Sequence, residues 1–148
     1  MIIYDMKERV VLDTDVIIAA LRSPTGASAA LLSKVVDRHI TMLASVTLFF
    51  EYEAKCSLAD HWRAGGLNKE QAEVFISGLA ALIEPVETHF LWRPLLRDPN
   101  DEMVLEVAVN GRAESIITFN LRDYGQVPKT FGLDVLTPSD ALRRFNHG

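Results

Sequence analysis

The sequence predicts an α/β domain with a central, mostly parallel sheet flanked by helices. Three observations predict it. Short apolar runs at 9–12, 40–44, 115–118 and 135–137 alternate with segments whose apolar residues recur at helical spacing. The first run, Arg9-Val10-Val11-Leu12, is β-branched and unalternating, as suits a strand covered on both faces. The chain has 148 residues, 49% of them hydrophobic and 24% charged, enough for one buried core without a disulfide or structural metal. With no repeat, linker or low-complexity tract to divide it, 1–148 reads as a single domain.

In order along the chain, the first strand ends at Asp13, and Asp15 is the expected N-cap of a short helix closed by Ser23-Pro24-Thr25-Gly26. A second helix is expected over 28–38, then a strand over 40–44. Ser45 or Thr47 can cap a third helix with Leu48, Phe49, Tyr52, Cys56, Ala59 and Trp62 on one broad stripe, ending near Gly65-Gly66. The fourth helix is the best marked: Asn68 caps it, Gln71 stands three residues on as in a capping box, and Pro85 stops it. Its apolar positions are Ala72, Phe75, Ile76, Leu79, Leu82 and Ile83. Asp98 opens a fifth helix with Pro99 at its first position. After the two late strands, Pro138 starts a terminal helix whose Arg143 and Arg144 suit the negative end of its dipole.

Composition excludes several classes. One cysteine, Cys56, allows no intrachain bridge and is expected to be a small core residue of a cytoplasmic protein. The opening Met1-Ile2-Ile3-Tyr4-Asp5 has no basic stretch before an apolar run, so no secretory signal is expected. The longest uncharged apolar-rich segment, 42–50, is far short of the roughly 20 residues of a membrane span. A net charge of −5 is the wrong sign for a surface that holds nucleic acid throughout. It is compatible with a nucleic-acid enzyme whose acids gather in one pocket around divalent cations, so the positions of the acids decide.

In open α/β sheets ligands bind beyond the carboxyl ends of the strands. Asp13, directly after the first strand, stands at that edge and is the leading catalytic candidate; Asp15 reads first as a helix cap with supporting duty. Asp101 lines up with Leu105 and Ala108 on the inward face of its helix, where a carboxylate needs a cation or a hydrogen-bond partner. Glu102 lines up instead with Glu106, on a face expected to be solvated. Glu51 and Glu53 flank the stripe of the third helix at similar angles, so periodicity does not choose between them; Glu51 has Lys55 one turn on. Thr118 and Asn120 follow the late strand and can hydrogen-bond a water or a phosphate, with Asp123 one turn further. Arg22, Arg93, Arg97 and Arg122 lie near these acids in sequence and read mainly as surface charges.

The histidines His39, His61, His89 and His147 show no metal-ligand spacing, and no nucleophile elbow, Walker loop or dinucleotide loop is present. The remaining donors are oxygens, which select Mg²⁺ or Mn²⁺. Asp13-Thr14-Asp15 also resembles the Asp-x-Asp of haloacid-dehalogenase-like phosphatases, in which the first Asp is the nucleophile. Against that family, no Gly-Asp-x-x-x-Asp pair follows Thr118 and the only later lysine is Lys129.

Five stretches together resemble the PIN-domain family of metal-dependent ribonucleases, and within it the toxins of bacterial toxin–antitoxin pairs. They are Val10-Val-Leu-Asp-Thr-Asp-Val-Ile-Ile-Ala-Ala-Leu21, Gly26-Ala-Ser-Ala-Ala-Leu-Leu32, Phe50-Glu-Tyr-Glu53, Asp98-Pro-Asn-Asp-Glu-Met-Val-Leu-Glu-Val-Ala108 and Ile116-Ile-Thr-Phe-Asn-Leu-Arg-Asp-Tyr124. The resemblance places the family's acids on Asp13, Glu51 and Asp101. The fourth position, often Asp, is Asn120 here, with Asp123 as its substitute. It implies an endoribonuclease in which Asp13, Glu51 and Asp101 hold Mg²⁺ or Mn²⁺, leaving 5′-phosphate and 3′-hydroxyl ends. It also implies an RNA substrate, a small antitoxin partner and a homodimer; the amphipathic stripes over 48–62 and 72–83 read either as that interface or simply as core. A PIN fold that has lost catalysis and only binds RNA or protein is the non-enzymatic alternative.

Overall fold

The computed structural model describes residues 8–89 and 95–146; Arg93, His147 and the opening residues lie outside them. The β-branched run becomes the middle strand. β1 (Glu8–Leu12) is flanked by β2 (Ile40–Ala44) and β4 (Ser115–Ile117), with β3 (Ile83–Pro85) beyond β2 and β5 (Asp134–Leu136) beyond β4. Every pairing is parallel. Val10, Val11 and Leu12 are buried on both faces, which is why their run does not alternate.

The chain passes from β1 outward to β2 and β3, then returns to the other side of β1 for β4. The β1–β4 junction is therefore the point where strand order reverses, the usual location of a ligand crevice in such sheets. Register tightens it: Leu12 pairs with Ile117, and the Asp13 N–H donates to the Ile117 carbonyl at 2.9 Å. Asp13 and Thr118 thus leave the sheet side by side.

The sheet is covered by α1 (Thr14–Arg22), α2 (Ala27–Val36), α3 (Val46–Cys56), α4 (Ala59–Ala64), α5 (Lys69–Leu82), α6 (Pro99–Asn110), α7 (Leu121–Tyr124), α8 (Val127–Thr130) and α9 (Pro138–Phe145). Local chemistry marks most starts. Ser45 caps α3 through the Leu48 N–H, Asn68 and Gln71 form the complete capping box of α5, and Asp98 caps α6 with Pro99 in its first turn.

Four expectations need correction. The N-cap of α1 is Asp13, and Asp15 lies inside the first turn. The expected third helix is two, because Leu58 adopts extended backbone and restarts the chain as α4. There Gly65 lets the end of α4 abut α1: a Cβ at Gly65 would lie 2.1 Å from the Leu21 carbonyl oxygen. Third, α5 stops at Leu82, three residues before Pro85, because 83–85 pair with β2 as an edge strand, where proline is tolerated. Last, Glu102 is buried, and its Oε2 accepts the N–H groups of Leu95 at 3.0 Å and Leu96 at 2.8 Å. A helical wheel cannot foresee it, because its partners come from the incoming chain.

The stripes over 48–62 and 72–83 are largely core within one chain: Leu48, Tyr52, Cys56, Ala72, Ile76 and Leu79 are buried. Burial pushes the Cys56 thiol up to about 12, so it is an inert packing group. Among the described residues no single helix is long and apolar enough to cross a membrane.

Candidate active site at the carboxyl edge

Asp13 is buried where the sheet order reverses, and four protein donors hold it. Oδ1 accepts from the Thr14 N–H at 2.7 Å and from Asn100 Nδ2 at 3.2 Å. Oδ2 accepts from Thr118 Oγ1 at 2.8 Å and from the Tyr124 hydroxyl at 3.0 Å. Burial pushes the carboxyl pKa up, and these hydrogen bonds pull it back. The donors come from β1's exit, the start of α6, the end of β4 and α7, so a single carboxylate fastens four segments.

Asp15 faces the β4 exit. Its Oδ2 accepts from the Phe119 N–H and from Asn120 Nδ2, each at 3.1 Å. Thr118 Oγ1 is 3.4 Å from the same oxygen, but its one proton goes to Asp13 at the shorter distance, while the hydroxyl accepts from the Asn120 N–H at 3.0 Å. Asp15 Oδ1 is buried with no hydrogen-bond partner among the described residues. Burial and then the charge of Asp13 push the Asp15 carboxyl up to about 6.

Asp101, in the first turn of α6, is 5% exposed. Burial, then Asp13, then the other nearby aspartates push it up to about 7. Glu51 is half-buried on α3, its carboxylate 4.0 Å from Lys55 Nζ, whereas Glu53 is exposed. An open depression of about 370 Å³ is lined by Asp13, Asp15, Glu51, Asp98, Asp101 and Asp123, together with Asn100, Asn120 and Lys55. The first-strand acid, the α3 acid and the α6 acid therefore share one space.

Sequence reasoning did not single out Asn100 or Tyr124 as functional. Each reaches Asp13 across more than 80 residues of chain, a separation at which no local pattern speaks. Tyr124 does end the last of the five quoted stretches, and a buried tyrosine hydroxyl must find an acceptor. Asp98 and Lys55 also line the depression after being read as a helix cap and an ion-pair partner.

The donor set suits a hard divalent cation in chemistry and charge: carboxylate and amide oxygens, a marked excess of negative charge, and one buried carboxylate oxygen without a donor. As the side chains stand, no group of three acids, histidines or cysteines among the described residues converges closely enough to enclose a cation.

The sequence model of the PIN domain matches residues 9–122. The chain belongs to the PIN-domain family. The match runs from β1 into α7 and takes in Asp13, Glu51, Asp101 and Asn120, stopping just before Asp123. PIN domains are generally nucleases. The fold is also that of a chain in the crystal structure of VapBC2 from Rickettsia felis bound to a DNA fragment from their promoter. The TM-score is 0.60 at 14% identity, covering 87% of this chain and 98% of that one. No curated protein matches the sequence. Membership in the PIN-domain family leaves the phosphatase alternative without support.

Proposed function

We propose that this PIN domain is a metal-dependent endoribonuclease, and that it is the toxin of a toxin–antitoxin pair acting in the cytoplasm. The observation that carries the reading is the shared depression at the β1–β4 junction, where Asp13, Glu51 and Asp101 face one space in a chain of a nuclease family. Asp13, Glu51 and Asp101 would hold Mg²⁺ or Mn²⁺, with Asp123 beside them. When bound, such an ion makes a water more acidic and offsets charge that develops on the phosphodiester oxygens.

The chain's own groups prepare that chemistry. Thr118, Tyr124 and Asn100 lock the Asp13 carboxylate in one orientation, so it need not reorganise as substrate enters. Asp101, pushed up to about 7, holds a proton part of the time near neutrality, and would give that proton up on binding a cation. At the fourth family position Asn120 supplies no charge; its amide nitrogen instead donates to Asp15 and steadies that carboxylate. Asp15 and Thr118 are thus positioning groups behind Asp13.

The antitoxin reading rests on the family resemblance and on the likeness to VapBC2, a complex solved on promoter DNA. A homodimer is proposed through the exposed apolar residues that the core leaves over on α3 and α5, Val46, Phe50 and Val74. The deciding experiment incubates the purified chain with RNA in Mn²⁺ and in chelator. Cleavage that needs the cation and is lost in Asp13→Asn is expected. A folded wild-type chain that binds RNA and Mn²⁺ but never cuts would leave the binding-module alternative in place.

A further inference from the structure

Beside the acidic depression lies a second groove of about 500 Å³, lined by Leu95, Leu96, Arg97, Asp98, Asp101, Arg122, Asp123, Tyr124, Gly125 and Val127. Asp98, Asp101 and Asp123 border both spaces, so the two adjoin. We propose that this groove seats the nucleotide adjoining the scissile bond of a single-stranded RNA, with Arg97 and Arg122 binding its phosphate. This rests on the nuclease reading above and adds where the substrate strand runs.

Charge is the first argument. A polyanion approaching six carboxylates in a chain of net charge −5 needs fixed positive charge beside the reacting bond. Lys55 in the depression is turned to Glu51. Arg97 and Arg122 both line the groove and are exposed, and neither guanidinium has a hydrogen-bond or ion-pair partner among the described residues. Guanidinium groups match phosphate geometry in two-point contacts.

The second argument is rigidity. Glu102 clamps the Leu95 and Leu96 N–H groups, and Asp98 accepts the Asn100 N–H at 2.7 Å, so the Arg97 segment is tied at both ends to α6. Close to Arg122 in the chain, Tyr124 is buried and bonded to Asp13, and Gly125 turns the chain with φ of 55°, a value that favours glycine. Both arginines are therefore borne on backbone registered to Asp13. The third argument is size and lining. A space of about 500 Å³ falls within the roughly 300–1,000 Å³ of pockets for small ligands. It has room for a nucleotide, and Leu95, Leu96 and Val127 offer apolar surface to a base or ribose.

The test measures cleavage kinetics of a 12-nucleotide single-stranded RNA, and of the same sequence as a duplex, in Mn²⁺ across a series of salt concentrations. Wild type, Arg97→Ala, Arg122→Ala, Arg97→Lys and Arg63→Ala are compared after thermal melting has shown each to be folded. Arg63 stacks on Trp62 outside the groove and controls for net charge. Arg97→Ala and Arg122→Ala should each raise KM roughly tenfold, the loss expected for one charged hydrogen-bonding contact. Each should also flatten the dependence of log affinity on log salt by about 0.7, the value for one phosphate contact on a single strand. Arg97→Lys should keep the salt slope, and Arg63→Ala should match wild type. The groove assignment is overturned if wild type cleaves but both alanine variants keep its KM and slope, or if the duplex is cut as efficiently as the single strand. Wild type that cuts neither RNA overturns the nuclease reading itself, and the groove assignment with it.

Discussion

Acids gather at both ends of the sheet: arginines pair with Glu84 and Asp134 away from the site, whereas Lys55–Glu51 is the one ion pair that the crowded carboxyl-end acids make among the described residues. At the amino end, Arg9 lies 2.7 Å from Glu84, its backbone N–H donates to Glu114, and Arg144 lies 2.9 Å from Asp134. Glu8 is the exception there, pushed up by burial and by Glu114 and pulled back by Arg144. At the carboxyl end, six carboxylates share a depression with Lys55, and Asp15 and Asp101 are pushed up to about 6 and about 7. The same residue types therefore do different work. Paired surface acids contribute about 0–1 kcal/mol each and ask nothing of the solution. Buried, crowded acids oppose folding in their charged form until a proton or a cation joins them.

The sharpest way to break this contrast is to remove one crowded acid. Asp13→Asn and Asp101→Asn should each lower RNA cleavage by at least about a hundredfold, the scale on which disturbed metal sites lose function. In the metal-free protein at pH 8, Asp101→Asn should unfold at higher urea than wild type, because it relieves repulsion. An Asp101→Asn protein that is less stable than wild type and fully active would show that the carboxyl end is as structural as the amino end.

The next effect is the cation's own. If the crowded acids wait for a divalent ion, Mn²⁺ at a hundred times its Kd should stabilise the fold by about 2.7 kcal/mol. For a domain of this size that is a rise in Tm of about 5–10 °C. The rise should vanish in Asp13→Asn and persist in Arg144→Ala. An equal rise in both would place the ion elsewhere.

A third measurement uses pH. Asp15 and Asp101 sit above their ordinary 3.8, so the folded chain holds those protons more tightly than the unfolded chain. The stability they contribute is complete below about pH 3.8 and is lost as pH climbs through about 6 and about 7. Metal-free protein should therefore lose urea resistance between pH 5 and 8 by more than Asp101→Asn does. Parallel profiles for the two proteins would count against the crowding.

How much of this end was legible depended on the range of the signal. β1, β2, the capping box of α5 and the Asp98-Pro99 start of α6 were readable because propensity, capping and period act within a few residues. So was the position of Asp13, since a strand's last residue marks the sheet edge. What was hidden came from pairing at a distance. Residues 83–85 continue a helical pattern and turn into a strand only because β2 offers an open edge. Glu102 looks solvated until the 95–96 segment folds over it. Asn100 and Tyr124 become partners of Asp13 only once α6 and α7 are docked.

The smallest effect belongs to the amino end and completes the comparison. Arg144 and Asp134 are both largely exposed, with side chains 42% and 60% accessible, so solvent screens their attraction. Arg144→Ala should cost no more than about 1 kcal/mol, a shift in Tm of about 2–4 °C, and that small loss should shrink further in high salt. Cleavage of RNA should stay at the wild-type rate, because the pair lies at the opposite end of the sheet from Asp13 and touches nothing in either groove. If Arg144→Ala instead lowered cleavage tenfold while remaining folded, charge at the amino end would be acting on the reaction. The division into one end whose acids are paired and one end whose acids are crowded would then be wrong.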